Sequence, residues 1–325
     1  MHTDAVHLIT IDDIIAAADR VRGTALRTPL LPAAWSDPDR PLWTKPENLQ
    51  PIGAFKIRGA TNAVARLSGA NGVVAYSSGN HAQAVAYAAK AAGLPAVIVV
   101  PENTPAVKIE ATRALGAEVV IVPITDREIV AHRIARERDL ALIPPFDHPD
   151  VIAGQGTIGL EIAEDLPDVD LVLVPVSGGG LASGVATAIK ARCPAAKVIG
   201  VEPELAADAA ASLHAGELVR WSAADRARTI ADGLRAEPSA LTFAHLSALL
   251  DDIVTVSEDE IRTAVATLAT RAHLVAEPSG ATATAAYLFR AASLPRGRTV
   301  AVISGGNLAP TQLAEILTQD HPHGH

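Results

Sequence analysis

Scarcity frames the first reading of this 325-residue chain. It holds a single cysteine, Cys193. No intramolecular disulfide can form, and a reducing, cytoplasmic location is expected. Set just before Pro194, that cysteine reads as a small residue near a helix end. Aromatic residues make up only 3% of the chain, so the core must be built from Ala, Val, Leu and Ile. Positive charge is also short: the net charge is −9 and no basic stripe is present, which argues against a nucleic-acid partner. No apolar run reaches the roughly 18 residues of a membrane span. Met1 to Ile15 carries Asp4, Asp12 and Asp13 in place of a basic start, so no signal peptide is expected. In the tail, Pro322 and Gly324 deny His321, His323 and His325 a fixed metal geometry, and a frayed terminus is the plainer reading.

What is present is a globular composition, 49% hydrophobic and 19% charged, on a chain long enough for one large or two ordinary domains. Thr10 to Asp13 reads as a helix start, with an apolar period running to Val21. From Gly72 onward apolar strands alternate with helices: strands at 73–76, 96–100 and 118–122, then, past the Pro144-Pro145 break, at 171–176, 197–201, 253–256 and 299–303. Helices are expected at 58–67, 80–92, 105–115, 126–138, 157–166, 181–191, 258–272, 280–292 and from Pro310, with an irregular stretch over 206–241. This grammar predicts an α/β fold of parallel sheets with helices on both faces. It divides into two lobes, residues 72–144 and residues 1–71 plus 145–325.

Lys56 is one of only six lysines and lies between Phe55 and Ile57 at the start of a helix pattern. Desolvation there would lower its pKa and free the amine for Schiff-base chemistry; a snorkelling lysine with a wet head is the alternative. Gly154-Gln155-Gly156-Thr157-Ile158-Gly159 has dinucleotide-loop spacing. It follows no strand, however, and the next strand ends in Ser177 rather than an acid, so a nicotinamide site is rejected. In Val174–Leu181 a strand runs straight into Gly178, Gly179 and Gly180 and then a helix. That arrangement suits a small phosphate, although a tight turn would look similar. Tyr76–Gln83 and Val302–Asn307 are strand ends of the same kind. Ser78, Ser177 and Ser304 should therefore gather at the carboxyl edges of parallel strands, where ligands bind.

GAFKIRGA, SSGNHAQA, SGGG and ISGGN, with GQGTIGLE and TIADGL, together resemble the serine/threonine dehydratases and serine racemases over nearly the whole chain. The resemblance implies the pyridoxal-phosphate (PLP) fold-type II, or tryptophan synthase β-like, architecture with two three-layer α/β/α domains. Residues 1–71 plus 145–325 would bind the cofactor, and 72–144 would be the smaller, mobile domain. It further implies that Lys56 carries PLP as a Schiff base and, once freed, takes the substrate Cα proton. Phe55 would pack on the ring, Asn80 would bond its phenolic oxygen, and Ser177, Gly178, Gly179, Gly180 and Leu181 would hold the phosphate. Ser304 would meet the pyridine nitrogen, which makes the ring a weaker electron sink and favours β-elimination. Ser77, Ser78, Asn80 and His81 would surround the substrate carboxylate.

The activity so implied is dehydration and deamination of L-threonine, L-serine or a related β-hydroxy amino acid to a 2-oxo acid and ammonia. A racemase with Ser78 as second base is the alternative, and 3-hydroxyaspartate or a compatible-solute intermediate are further substrates. A homodimer or homotetramer is expected. Glu202, the Ala206 carbonyl and Asp208 resemble the family's Mg²⁺ or Ca²⁺ loop, with a plain acidic surface loop as the other reading. Ala54 stands where the family often has serine, and Ala82 where glycine is common, which leaves the preferred substrate open.

Overall fold

The computed structural model describes residues 7–319; the histidine-bearing tail and Asp4 lie outside them. Helix α1 (Ile11–Val21) begins as its sequence implies. The Thr10 hydroxyl accepts from Asp13 N–H and the Asp13 carboxylate accepts from Thr10 N–H, a reciprocal cap that satisfies otherwise orphaned donors. Two strands follow, β1 (Leu31–Pro32) and β2 (Leu42–Pro46), then a 3₁₀ turn at Glu47–Leu49 and helix α2 (Lys56–Ala65).

The next unit alternates β3 (Val73–Tyr76), α3 (Asn80–Ala91), β4 (Ala96–Pro101), α4 (Ala106–Ala114), β5 (Glu118–Val122), α5 (Arg127–Arg138) and β6 (Ala141–Leu142). The remainder holds α6 (Pro149–Asp165), β7 (Leu171–Pro175), α7 (Gly180–Arg192), β8 (Lys197–Pro203), α8 (Asp208–Ala215), α9 (Ala223–Arg226), α10 (Ala240–Leu249), β9 (Asp252–Val256), α11 (Glu258–Thr267), α12 (Pro278–Phe289), β10 (Thr299–Ile303) and α13 (Pro310–Thr318).

The strands make two sheets. One has the order β1-β2-β10-β7-β8-β9 and is parallel except for β1, while the other is a parallel β5-β4-β3-β6 sheet. The central strands β4, β7 and β10 are buried along their whole length, as continuous apolar runs in a sheet covered on both faces should be. The expected α/β architecture is thus present. Among the described residues no helix is long and apolar enough to cross a membrane. Cys193 is buried just past α7, with Sγ 3.5 Å from the Pro167 carbonyl, in keeping with a small helix-end residue.

Three sequence expectations change. Helix α6 starts at Pro149, eight residues before the expected Thr157, because His148 caps it and Pro149 occupies a first-turn position where a missing N–H costs nothing. Gly154, Gly156 and Gly159 are therefore helical, and the apparent nucleotide loop is not a loop. The stretch expected to be irregular contains α8, α9 and the start of α10, the last capped reciprocally by Ser239 and Thr242. The helix expected over 258–272 leaves α-geometry after Thr267, passes through a π-helical turn at Leu268–Ala272 and ends with His273 in the left-handed region.

Candidate active site

Lys56 is the first residue of α2, and the chain just before it is stitched to the end of β10. Phe55 N–H donates to the Ser304 carbonyl at 3.0 Å, and Gly306 N–H donates to the Gly53 carbonyl at 2.9 Å. The amine reaches back across the site: Lys56 Nζ donates to the Pro145 carbonyl at 2.7 Å and stands 5.1 Å from the centre of the Phe55 ring. Among the described residues no carboxylate pairs with it. Burial pushes the amine down from the ordinary lysine value to about 8, which makes the neutral, nucleophilic form accessible near physiological pH. The desolvated alternative for Lys56 is the one the structure supports.

Phe146, which follows Pro145, connects Lys56 to the glycine loop. A Cβ on Gly178 would collide with the Phe146 ring, and one on Gly180 would stand 2.9 Å from Phe146 Cβ. Gly179 has φ 86°, a conformation that strains other residues, and it delivers the chain into the thirteen-residue helix α7. The result is a narrow backbone cradle at a helix N-terminus, suited to an anion. The Ser177 side chain belongs to the cradle's support: its hydroxyl accepts from Ala236 N–H at 3.0 Å. Leu181 is buried behind it in the core.

The third strand end, between β3 and α3, faces the same region. Asn80 Nδ2 donates to Glu277 Oε1 at 2.7 Å, while Asn80 Oδ1 accepts from Asn307 Nδ2 at 2.8 Å. His81 Nε2 lies 2.9 Å from the Ile143 carbonyl and must donate to it, since a carbonyl only accepts. Burial and the neighbouring Lys56 charge hold this imidazole down at about 3, so it stays neutral. The Ser77 hydroxyl accepts from Gly79 N–H at 3.3 Å, whereas the Ser78 hydroxyl makes no hydrogen bond among the described residues. Ser304 Oγ donates to the Ser279 carbonyl at 3.4 Å from the end of β10.

Glu277 escapes a reading of the sequence. It is buried, and desolvation, aided by the Asp232 charge, raises its carboxyl to about 7. Its only local signal is an acid directly before Pro278 at a helix start, which normally means no more than a capping position. Glu202, Ala206 and Asp208 form a separate cluster at the end of β8. They are buried, so the surface-loop alternative does not hold. The Glu202 carboxylate accepts from Ala209 N–H at 3.2 Å and Ala210 N–H at 2.7 Å and so caps α8. Asp208 Oδ2 is buried without a hydrogen-bond partner, and desolvation raises its carboxyl to about 6. An orphaned carboxylate oxygen beside a second buried acid fits a hard cation with oxygen ligands, such as Mg²⁺ or Ca²⁺.

An amine that has no acid partner among the described residues, beside a glycine turn packed too closely against Phe146 and Thr242 for side chains and opening a helix, fits a cofactor with an aldehyde at one end and a phosphate at the other. Residues 21–305 match the family model described as pyridoxal-phosphate dependent enzyme. The chain belongs to this family. It is 40% identical over 318 residues to L-threo-3-hydroxyaspartate ammonia-lyase of Saccharomyces cerevisiae, covering 95% of this chain and 96% of that one. It is 38% identical to serine racemase of Schizosaccharomyces pombe, over 98% of this chain and all of that one. The solved structure of a threonine deaminase from T.th. superposes with a TM-score of 0.89 at 44% identity, over 93% of this chain and 99% of that one. These relatives share the PLP fold-type II architecture, and PLP is the family's cofactor.

Proposed function

We propose that the chain is a PLP-dependent ammonia-lyase that converts L-threonine, L-serine or a related β-hydroxy amino acid to a 2-oxo acid and ammonia. The observation that carries this is the desolvated Lys56 amine, which among the described residues has no acid partner and donates to the Pro145 carbonyl beside Phe146 and the Gly178–Gly180 turn. Lys56 and the Ser177–Leu181 loop would hold the cofactor, with Phe55, Asn80 and Ser304 around its ring. When bound, PLP supplies an electron sink that acidifies the substrate Cα–H and lets a β-hydroxyl depart.

The protein's own residues divide the remaining work. Neutral Lys56 accepts the Cα proton, for which its lowered pKa suits it. Ser77, Ser78 and the first turn of α3, including Asn80 and His81, bind the substrate carboxylate at a helix N-terminus. His81, kept neutral, donates through Nε2 to the Ile143 carbonyl and steadies the start of α3. Glu202, Asp208 and the Ala206 carbonyl bind Mg²⁺ or Ca²⁺ and steady the start of α8. The unit of residues 72–144 moves against residues 1–71 plus 145–325, and the protein works as a homodimer or homotetramer in the cytoplasm.

A racemase is the second reading, and the unpartnered Ser78 hydroxyl favours it as a second proton carrier. One panel separates the two. L-Threonine, L-serine and L-threo-3-hydroxyaspartate are supplied to the purified protein, and 2-oxo acid, ammonia and D-amino acid are measured. The lyase reading expects 2-oxo acid and ammonia in equal amounts. Conversion to the D-amino acid without 2-oxo acid replaces it with the racemase, and no turnover of any substrate sinks both.

A further inference from the structure

The glycines of α6 are spaced like a nucleotide loop but serve backbone packing. A Cβ on Gly154 would stand 2.6 Å from both the Arg58 carbonyl oxygen and Gly59 Cα. One on Gly156 would lie 3.0 Å from the Gly184 carbonyl oxygen, and one on Gly184 would lie 2.5 Å from Gly156 N. The backbones of α2, α6 and α7 therefore approach closely in a row at these glycines, with the Gln155 side chain bonded to Gly59 N–H at the α2 contact. Helix α2 begins with Lys56 and α7 begins in the glycine cradle, so the two anchors of the cofactor stand at the ends of one three-helix stack.

Bare backbone contact lets helices approach but does not fix how far one slides along another. A cluster of four charges fixes it for α2 against α6, the helix that packs on α7. Arg58 Nε and Nη2 donate to the two oxygens of Glu47 at 2.7 and 2.9 Å. Its Nη1 and Nη2 donate to the two oxygens of Glu161, on α6, at 2.6 and 2.8 Å. Nη1 also reaches Thr157 Oγ1 at 3.0 Å, and Nη2 reaches the Leu26 carbonyl at 2.9 Å, so every guanidinium N–H has an acceptor. Lys45, on β2, completes the set with Nζ 2.6 Å from Glu161 Oε2 and 2.6 Å from the Thr28 carbonyl. Glu47 accepts in addition from Thr28 Oγ1 at 2.6 Å and Gln50 Nε2 at 3.0 Å. All four charged side chains are buried, and two cations balance two anions. A well-packed apolar cluster of similar volume commonly serves stability as well or better, so stability is a poor reason for this arrangement. What directional, two-pronged bonds add is a single register.

We propose that Arg58, with Glu47, Glu161 and Lys45, is a positioning cluster that sets the separation between the Lys56 amine and the Ser177–Leu181 loop, so that one rigid cofactor is gripped at its aldehyde and its phosphate together. The inference rests on Lys56 being the cofactor-bearing amine. PLP needs both anchors at the right spacing; pyridoxal, which lacks the phosphate, needs Lys56 alone. Arg58→Lys keeps the charge and loses the fork.

Both ligands are titrated into cofactor-free protein, and binding is followed by the absorbance of the lysine adduct. The expected result is that Arg58→Lys binds PLP about tenfold or more weakly, since small displacements of a two-ended grip are costly, while its affinity for pyridoxal is unchanged. An equal loss for both ligands, or no loss for either, overturns the proposal. Should circular dichroism show that Arg58→Lys does not fold, the charge-balanced pair Lys45→Met/Glu161→Gln is scored by the same split. The underlying assignment is tested first: unaltered protein treated with PLP and borohydride must carry a pyridoxyl group on Lys56, and its absence there sinks the functional reading rather than the spacing.

Discussion

The Lys45–Glu47–Arg58–Glu161 cluster and the Glu202–Asp208 pair both bury carboxylates among secondary-structure ends, and they differ in what answers the charge. In the first, each acid meets the Arg58 guanidinium: burial acts against the charge, but Arg58 holds the Glu47 carboxyl below its ordinary range. In the second, no cation among the described residues is paired with the acids, and burial drives the Glu202 carboxyl well above its ordinary range. Lys56 belongs with the second kind, since no acid among the described residues offsets its desolvation. Balanced buried charge behaves as framework, whereas unbalanced buried charge is a group prepared for a ligand or a proton.

The largest expected effect falls on the unbalanced amine. Lys56→Ala should lower turnover by about a thousandfold or more, the scale of losing a nucleophile that also moves a proton. Its urea midpoint should stay level or rise, because a desolvated amine has been removed. A variant that kept its turnover would break the contrast at its centre. Next, Arg58→Met leaves Glu47 without its paired cation and Glu161 with Lys45 alone, and should cost about 3–5 kcal/mol in urea unfolding. Lys45→Met/Glu161→Gln, which removes one charge of each sign, should cost clearly less. Equal losses would show that the cluster is mere packing.

The pH dependence of Lys56 sharpens the same contrast. In cofactor-free protein the amine should react with trinitrobenzenesulfonate at a rate that rises with pH through about 8. Below that value it is protonated and inert, and above it the free base dominates. A midpoint near the ordinary lysine value would mean the burial is not felt. Smaller again, Mg²⁺ or Ca²⁺ at a hundred times its dissociation constant should stabilise the protein by about 2.7 kcal/mol in a thermal melt, and Asp208→Asn should abolish that shift. No cation effect on the unaltered protein would end the cation assignment. The smallest effect is expected at Ala54, fully buried and paired with Gly305 beside the Lys56 loop. Ala54→Ser should change the ratio of activities on serine and threonine by less than about tenfold, since one added hydroxyl discriminates weakly.

Much of the site was legible because its parts are local. A glycine run between a buried strand and a helix announces an anion cradle wherever it occurs, and Ser77–His81 and Ser304–Asn307 carry the same strand-end grammar. The rest of the site was not legible because its meaning comes from partners far along the chain. Glu277 is an ordinary capping acid until Asn80, 197 residues away, donates to it. Arg58 looks like a helix-surface arginine until Glu161 meets it from 103 residues downstream. The glycines of α6 matched a loop motif because spacing alone cannot distinguish a bend from a helix that must pass close to its neighbours.

The sequence by itself determined the alternation of strands and helices, the carboxyl-edge position of three polar loops and the candidacy of Lys56. These follow from the periodicity of apolar residues and from the conformational range of glycine, both properties of short stretches. Only the tertiary structure decided that, among the described residues, Lys56 has no acid beside it, Arg58 has two, and Asp208 keeps an oxygen unanswered. Each depends on which charges are buried together, and burial is set by the packing of segments that lie a hundred residues apart.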